Sequence, residues 1–183
     1  MFVAALLPDA VADDLDAFLE VRREAGALRW TSREQWHLTL AFLPDVADAQ
    51  VELLLDALAG VAGRRRSLSA RVGGGGAFPG AHAARVLWTG VSTDEEEELS
   101  RLAAGCRTAA ATHGVATPRE KFRPHLTLAR SPHPFEATRW IRVLEGYRSP
   151  EWLVDRIALV ASYLGEGAGG RPRYQVLAEL ELG

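Results

Sequence analysis

Two short stretches carry the residues best suited to chemistry: His37-Leu-Thr-Leu-Ala41 and His125-Leu-Thr-Leu-Ala129. The five residues are identical in both copies, which begin 88 positions apart. Leu and Thr suit strands here, and period-two alternation sends His and Thr to one face and the leucines to the other. Each copy therefore offers an imidazole and a hydroxyl to the same side of a sheet. One such pair fits plain solvent exposure; the duplication argues for chemistry. Of two imidazoles in one cleft, a neutral ring can accept a proton while a charged one donates. Opposed rings suit in-line displacement at phosphorus. Thr39 and Thr127 can hydrogen-bond non-bridging oxygens, and Arg130 adds positive charge where a dianionic transition state needs it. The competing reading of two histidines is a metal site. Neither motif has a carboxylate or third histidine at a recognised ligand spacing, so no metal and no cofactor is expected.

The chain of 183 residues is long enough for one domain or two small lobes, with 48% hydrophobic and 25% charged residues. A formal net charge of −3 argues against general coating of nucleic acid but leaves room for a local basic cleft. Lys121 is the only lysine, so there is no Gly-Lys-Ser/Thr nucleotide loop, and a lysine nucleophile would have to be Lys121. The lone Cys106 excludes an internal disulfide and a thiolate metal cluster, in keeping with a reducing compartment. The opening Phe2–Leu7 run lacks a basic leader and reads as a first strand; no stretch approaches the ~20 apolar residues of a membrane helix. A cytoplasmic protein without membrane attachment is expected.

The motifs must be held by flanking elements. Residues 2–7 predict a buried strand, then a helix over about 9–25 with Val11, Leu15, Phe18 and Leu19 on one stripe, stopped at Gly26. The first motif strand covers about 36–43, and a second amphipathic helix about 46–60. A third strand is predicted over 67–72, and Gly73–Gly76 reads as a flexible connector, with a phosphate-cradling loop as the sharper alternative. After a strand at 85–91, Thr93-Asp94-Glu95-Glu96 resembles a capping box opening a helix to about 112. The second motif strand spans about 124–130, helix-like residues 135–145, and strands 153–164 and 174–182. Shifting the first half by 88 places helix on helix and strand on strand well beyond the motifs. The expected fold is therefore α+β and bilobal. Two pseudo-twofold-related β-α-β-α-β lobes, interleaved in a single domain over 1–183, put largely antiparallel sheets on a central cleft and helices outside. The repeat halves run about 1–75 and 84–164.

Taken with their flanks, His37-Leu-Thr-Leu-Ala-Phe-Leu and Pro124-His-Leu-Thr-Leu-Ala-Arg resemble the paired His-x-Thr motifs of the 2H phosphoesterases. The likeness is to the RNA 2′,3′-cyclic phosphodiesterases, also called 2′–5′ RNA ligases. It extends to Phe2-Val-Ala, Arg85-Val-Leu-Trp-Thr-Gly90, Phe122 and Tyr174-Gln-Val-Leu177. Pro44 departs from the glycine usual after Phe-Leu in that family. The resemblance implies a bilobal fold acting on RNA ends or a small cyclic nucleotide, as a monomer and without metal. It implies His37 and His125 as catalytic pair, His125 the base and His37 the acid, with Thr39, Thr127 and Arg130 on the phosphate. Reversible 2′–5′ joining, a small cyclic nucleotide substrate and a non-catalytic nucleotide-binding module are the alternatives. Trp36 and Phe42 are candidates to stack on a base. Arg119, Lys121 and Arg123 are candidates to receive RNA phosphates. His82, His113 and His133 read as surface residues.

Overall fold

The 88-residue offset carries into three dimensions. The computed structural model describes residues 1–23, 28–118 and 120–183. Its first half runs β1 (Phe2–Leu6), α1 (Asp9–Arg23), β2 (Arg29–Trp30), β3 (His37–Phe42), α2 (Asp48–Ala62) and β4 (Leu68–Phe78). The second runs β5 (Ala84–Thr93), α3 (Glu96–Thr112), β6 (His125–Phe135), α4 (Thr138–Glu145), β7 (Trp152–Val154) and β8 (Arg156–Tyr163), and β9 (Arg173–Glu181) closes the chain. The offset places α1 within α3, β3 on the start of β6, α2 over α4, and the start of β4 on that of β8.

Two antiparallel sheets result, ordered β3-β1-β8-β9 and β2-β6-β5-β4-β7. The order β3-β1-β8 maps by the offset onto β6-β5-β4. Each half thus sends its last strand, β4 or β8, into the sheet begun by the other. This is the bilobal α+β arrangement that the repeat predicts. Helical stripes supply the core between sheet and helix: Leu15 and Leu19 of α1, Leu54 and Leu58 of α2, and Leu99 and Leu102 of α3 are all 1% exposed or less. Each buried leucine is worth roughly 1.5–3 kcal/mol of transfer free energy.

Three expectations need correction, and one element was not foreseen. The strand expected over 153–164 divides at Asp155: β7 pairs with β4, and β8 lies between β1 and β9. The chain is crossing from one sheet to the other there, which periodicity cannot register because both pieces are apolar. Gly73–Gly76 is not a connector but part of β4, where absent side chains admit close neighbours. A Cβ on Gly75 would stand 2.7 Å from the Leu144 Cβ of α4, and one on Gly76 would fall within the Trp88 ring. The capping box is not formed: Glu95 is the N-cap without a side-chain cap, and the Asp94 carboxylate accepts from the Ser69 amide at 3.2 Å instead. Finally, β2 is a two-residue edge strand, too short to show any period. Gly26 and Arg119 lie outside the described residues. No described helix is long and apolar enough to cross a membrane.

Candidate active site

The two motif strands begin the edge-side pairings of their sheets, and β3 and β6 lie against each other. Leu38, Leu40, Leu126 and Leu128 are all 2% exposed or less, while His37, Thr39, His125 and Thr127 are only partly buried, as alternation requires. Strict alternation would then send Arg130 to the leucine side. A β-bulge prevents it: opposite β5, Leu87 pairs with Ala129 but Trp88 with Thr127, so Leu128 is the extra residue. The phase flips, Ala129 goes into the core, and Arg130 joins the histidine face. The same bulge recurs 88 residues earlier at Leu40, where Val3 pairs with Ala41 and Ala4 with Thr39. There it delivers Phe42, the positional counterpart of Arg130, to the face that holds His37 and Phe2.

Both rings are oriented identically. His37 Nδ1 lies 2.7 Å from the carbonyl oxygen of Gln35, and His125 Nδ1 lies 2.6 Å from that of Arg123. A carbonyl only accepts, so each Nδ1 carries the hydrogen and each Nε2 is left with its lone pair free. Gln35 and Arg123 are themselves equivalent by the 88-residue offset. Upstream, Arg33 pins the turn before β3 onto the start of α1 through Asp9 (2.9 Å) and Asp13 (2.6 Å). Gln35 Nε2 donates to the Pro172 carbonyl at 2.7 Å, tying the motif's lead-in to the β8–β9 loop. Before the second motif, Pro124 enforces an extended entry, and its carbonyl accepts from the Val91 amide at 3.1 Å.

Each imidazole sits in an aromatic surround. Phe2 stacks on His37 with centroids 4.4 Å apart, and Tyr174 meets the same ring edge-on at 5.5 Å. Phe78 meets His125 edge-on at 5.1 Å and Trp88 lies tilted at 5.7 Å. These rings exclude water and so disfavour the charged imidazolium. Burial pushes His37 down to about 4, with smaller contributions from the positive charges of His125 and Arg130 and an opposing one from the Gln35 carbonyl. Burial also lowers His125, again assisted by Arg130. His37, Thr127 and Arg130 line one open cleft of about 550 Å³ with Arg29, Trp30, Gln35, Arg171 and Tyr174. Thr39 and His125 stand outside that lining, His125 close enough for its charge to bear on His37. The lining contains no carboxylate.

A family model, described as the 2′-5′ RNA ligase superfamily, matches residues 7–166. The chain belongs to this superfamily. An RNA 2′,3′-cyclic phosphodiesterase of Thermotoga maritima is 30% identical over 185 residues, covering 99% of this chain and 94% of that protein. One of Geobacillus stearothermophilus is 37% identical over 101 residues, 55% of this chain, but the match spans only 32% of the relative's length. The crystal structure of E. coli LigT complexed with 3′-AMP superposes with a TM-score of 0.72 at 27% identity, covering 99% of this chain and 96% of that one.

For a superfamily member, some site candidates fare differently from others. Trp36 is 4% exposed and packs in the core, so it has no face to offer a base; its apolar surroundings outweigh its nearness to the motif. Phe42 is 50% exposed on the histidine face. Lys121 and Arg123 are exposed and do not line the cleft. Phe78, Trp88, Arg29 and Arg171 escaped sequence reasoning as site residues. Phe2, Trp88 and Tyr174 entered only as flanks of the resemblance. Gly76 beneath Trp88 was the available signal, because a glycine run inside a strand marks close approach.

Proposed function

We propose that this chain hydrolyses RNA 2′,3′-cyclic phosphate ends to 2′-phosphomonoesters, without metal, by acid–base catalysis between His37 and His125. The observation that carries the reading is the paired tautomer lock, which leaves an Nε2 free on each of two adjoining strands. Water attacks phosphorus as the P–O3′ bond breaks; His125 takes the water proton and His37 protonates O3′. Burial makes the His37 imidazolium a strong acid, and a bound phosphate anion draws the proton onto it. Thr39 and Thr127 donate to non-bridging oxygens, and Arg130 supports the developing charge. Phe42 offers a half-exposed ring to the terminal base. The donor set of imidazole, hydroxyl, guanidinium and phenol suits phosphate better than a hard cation. Both motifs come from one chain, so a monomer carries a complete site, and the buried free Cys106 suits a cytoplasmic setting.

The test is turnover of an oligonucleotide ending in 2′,3′-cyclic phosphate after exhaustive treatment with EDTA. A 2′-phosphomonoester is the expected product at undiminished rate. A 3′-phosphomonoester, no turnover, or activity restored only by an added divalent metal contradicts the reading.

A further inference from the structure

Three arginines line the cleft, and the reacting phosphate accounts for one. Arg130 stands next to the chemistry, since its charge depresses both imidazoles and bears on Tyr174. Arg29, on the edge strand β2, and Arg171, in the loop between β8 and β9, line the same cavity. Arg29 is the register partner of Arg130 across β2 and β6, so the two side chains leave the same face of the sheet. The edge strand that carries it is held by the Thr31 amide donating to the Leu128 carbonyl at 2.8 Å, at the bulge residue itself. Arg171 precedes Pro172, whose carbonyl is tied to Gln35. Among the described residues no carboxylate comes within ion-pair distance of Arg29, Arg130 or Arg171. Neighbouring Arg33 and Arg173, by contrast, are held by Asp9, Asp13 and Glu166. In a chain of net charge −3, these two further guanidiniums on an acid-free cleft offer donors for an anion beyond the reacting phosphate.

We infer that Arg29 and Arg171 form a clamp for the phosphodiester one nucleotide upstream of the cyclic end, so that this protein selects RNA strands over mononucleotides. The inference rests on the cyclic-phosphate reading. A nucleoside 2′,3′-cyclic phosphate has a single phosphate, which Arg130 and the threonines hold, and nothing to place between Arg29 and Arg171. A strand end has one. The guanidinium fork donates to two phosphate oxygens at once, which gives position as well as charge.

The experiment compares kcat/KM for a nucleoside 2′,3′-cyclic phosphate and for a trinucleotide with the same terminal nucleoside and cyclic end, in wild type, Arg29→Gln, Arg171→Gln and the double variant. Wild type should prefer the trinucleotide, and each substitution should cut that preference about tenfold, chiefly through KM on the trinucleotide. The salt dependence of trinucleotide kcat/KM should flatten by roughly 0.7 in log–log slope for the lost phosphate contact. Equal losses on both substrates, a preference that survives the double variant, or a wild type without preference overturns the clamp. Should wild type turn over neither substrate, the cyclic-phosphate reading fails. Equilibrium binding of a trinucleotide 3′-phosphate against a nucleoside 3′-monophosphate then decides the clamp by the same ratio.

Discussion

His37 and His125 share an environment that keeps them neutral in the free protein, and this fixes their behaviour with pH. Burial lowers both, His37 to about 4 from an ordinary 6.5. The proposed mechanism needs one proton on the pair for productive binding, so kcat/KM should be bell-shaped with an optimum below pH 6.5. The bound phosphate raises both rings and moves the kcat optimum higher. Superimposable profiles, or a kcat/KM optimum above pH 7, would show that the rings are not desolvated as described. The same shifts bear on stability. The unfolded chain binds more protons than the folded one between about pH 6.5 and 4, so stability present above 6.5 is lost as pH falls through that window. Denaturant titrations across it should show a shallower pH slope for His37→Gln than for wild type. At Arg130, lysine keeps the charge but loses the planar fork, so Arg130→Lys should turn over more slowly than wild type. Wild-type rates in Arg130→Ala would remove that residue from the site.

At the scale of elements, the bulges at Leu40 and Leu128 and the bare surface of β4 deliver the chemistry. Gly76 lets the Trp88 ring lie flat against β4, from where it closes around His125. Gly76→Ala should therefore destabilise the fold by about 1–3 kcal/mol in chemical denaturation, because the added methyl would stand 2.0 Å from the Trp88 ring and force it to shift. It should also slow turnover by displacing Trp88; unchanged stability would mean that the ring has room to move. Such elements mark the limit of what was legible. The helical stripes of α1 and α2 and the His-x-Thr faces could be read directly, since periods of 3.6 and 2 are local properties. The side on which Arg130 emerges could not, because a bulge depends on the partner strand: Leu87 and Trp88, far off in sequence, set it. Glycines 73–76 misled for the same reason. Their permissive backbone suggested a connector, whereas their role is to admit Trp88 and α4, which only the tertiary structure brings near. Trp36 was placed at the site by its nearness to His37 in sequence, but the turn before β3 sends it into the core.

Across the whole molecule, the exchange of β4 and β8 between sheets locks the two halves together, so the motif strands meet without a second chain. In the proposed mechanism the chemistry belongs to the pair of rings rather than to either one. The direct measurement is a double-mutant cycle on kcat/KM for cyclic-phosphate-terminated RNA with His37→Ala, His125→Ala and the double variant, each checked for folding by circular dichroism. Each single substitution should cost on the order of 10²–10⁴-fold. The double variant should be little worse than the weaker single one, because groups acting in one concerted transfer fail together. Losses that multiply, or a single variant that keeps wild-type turnover, would contradict joint action of the two histidines on one phosphate.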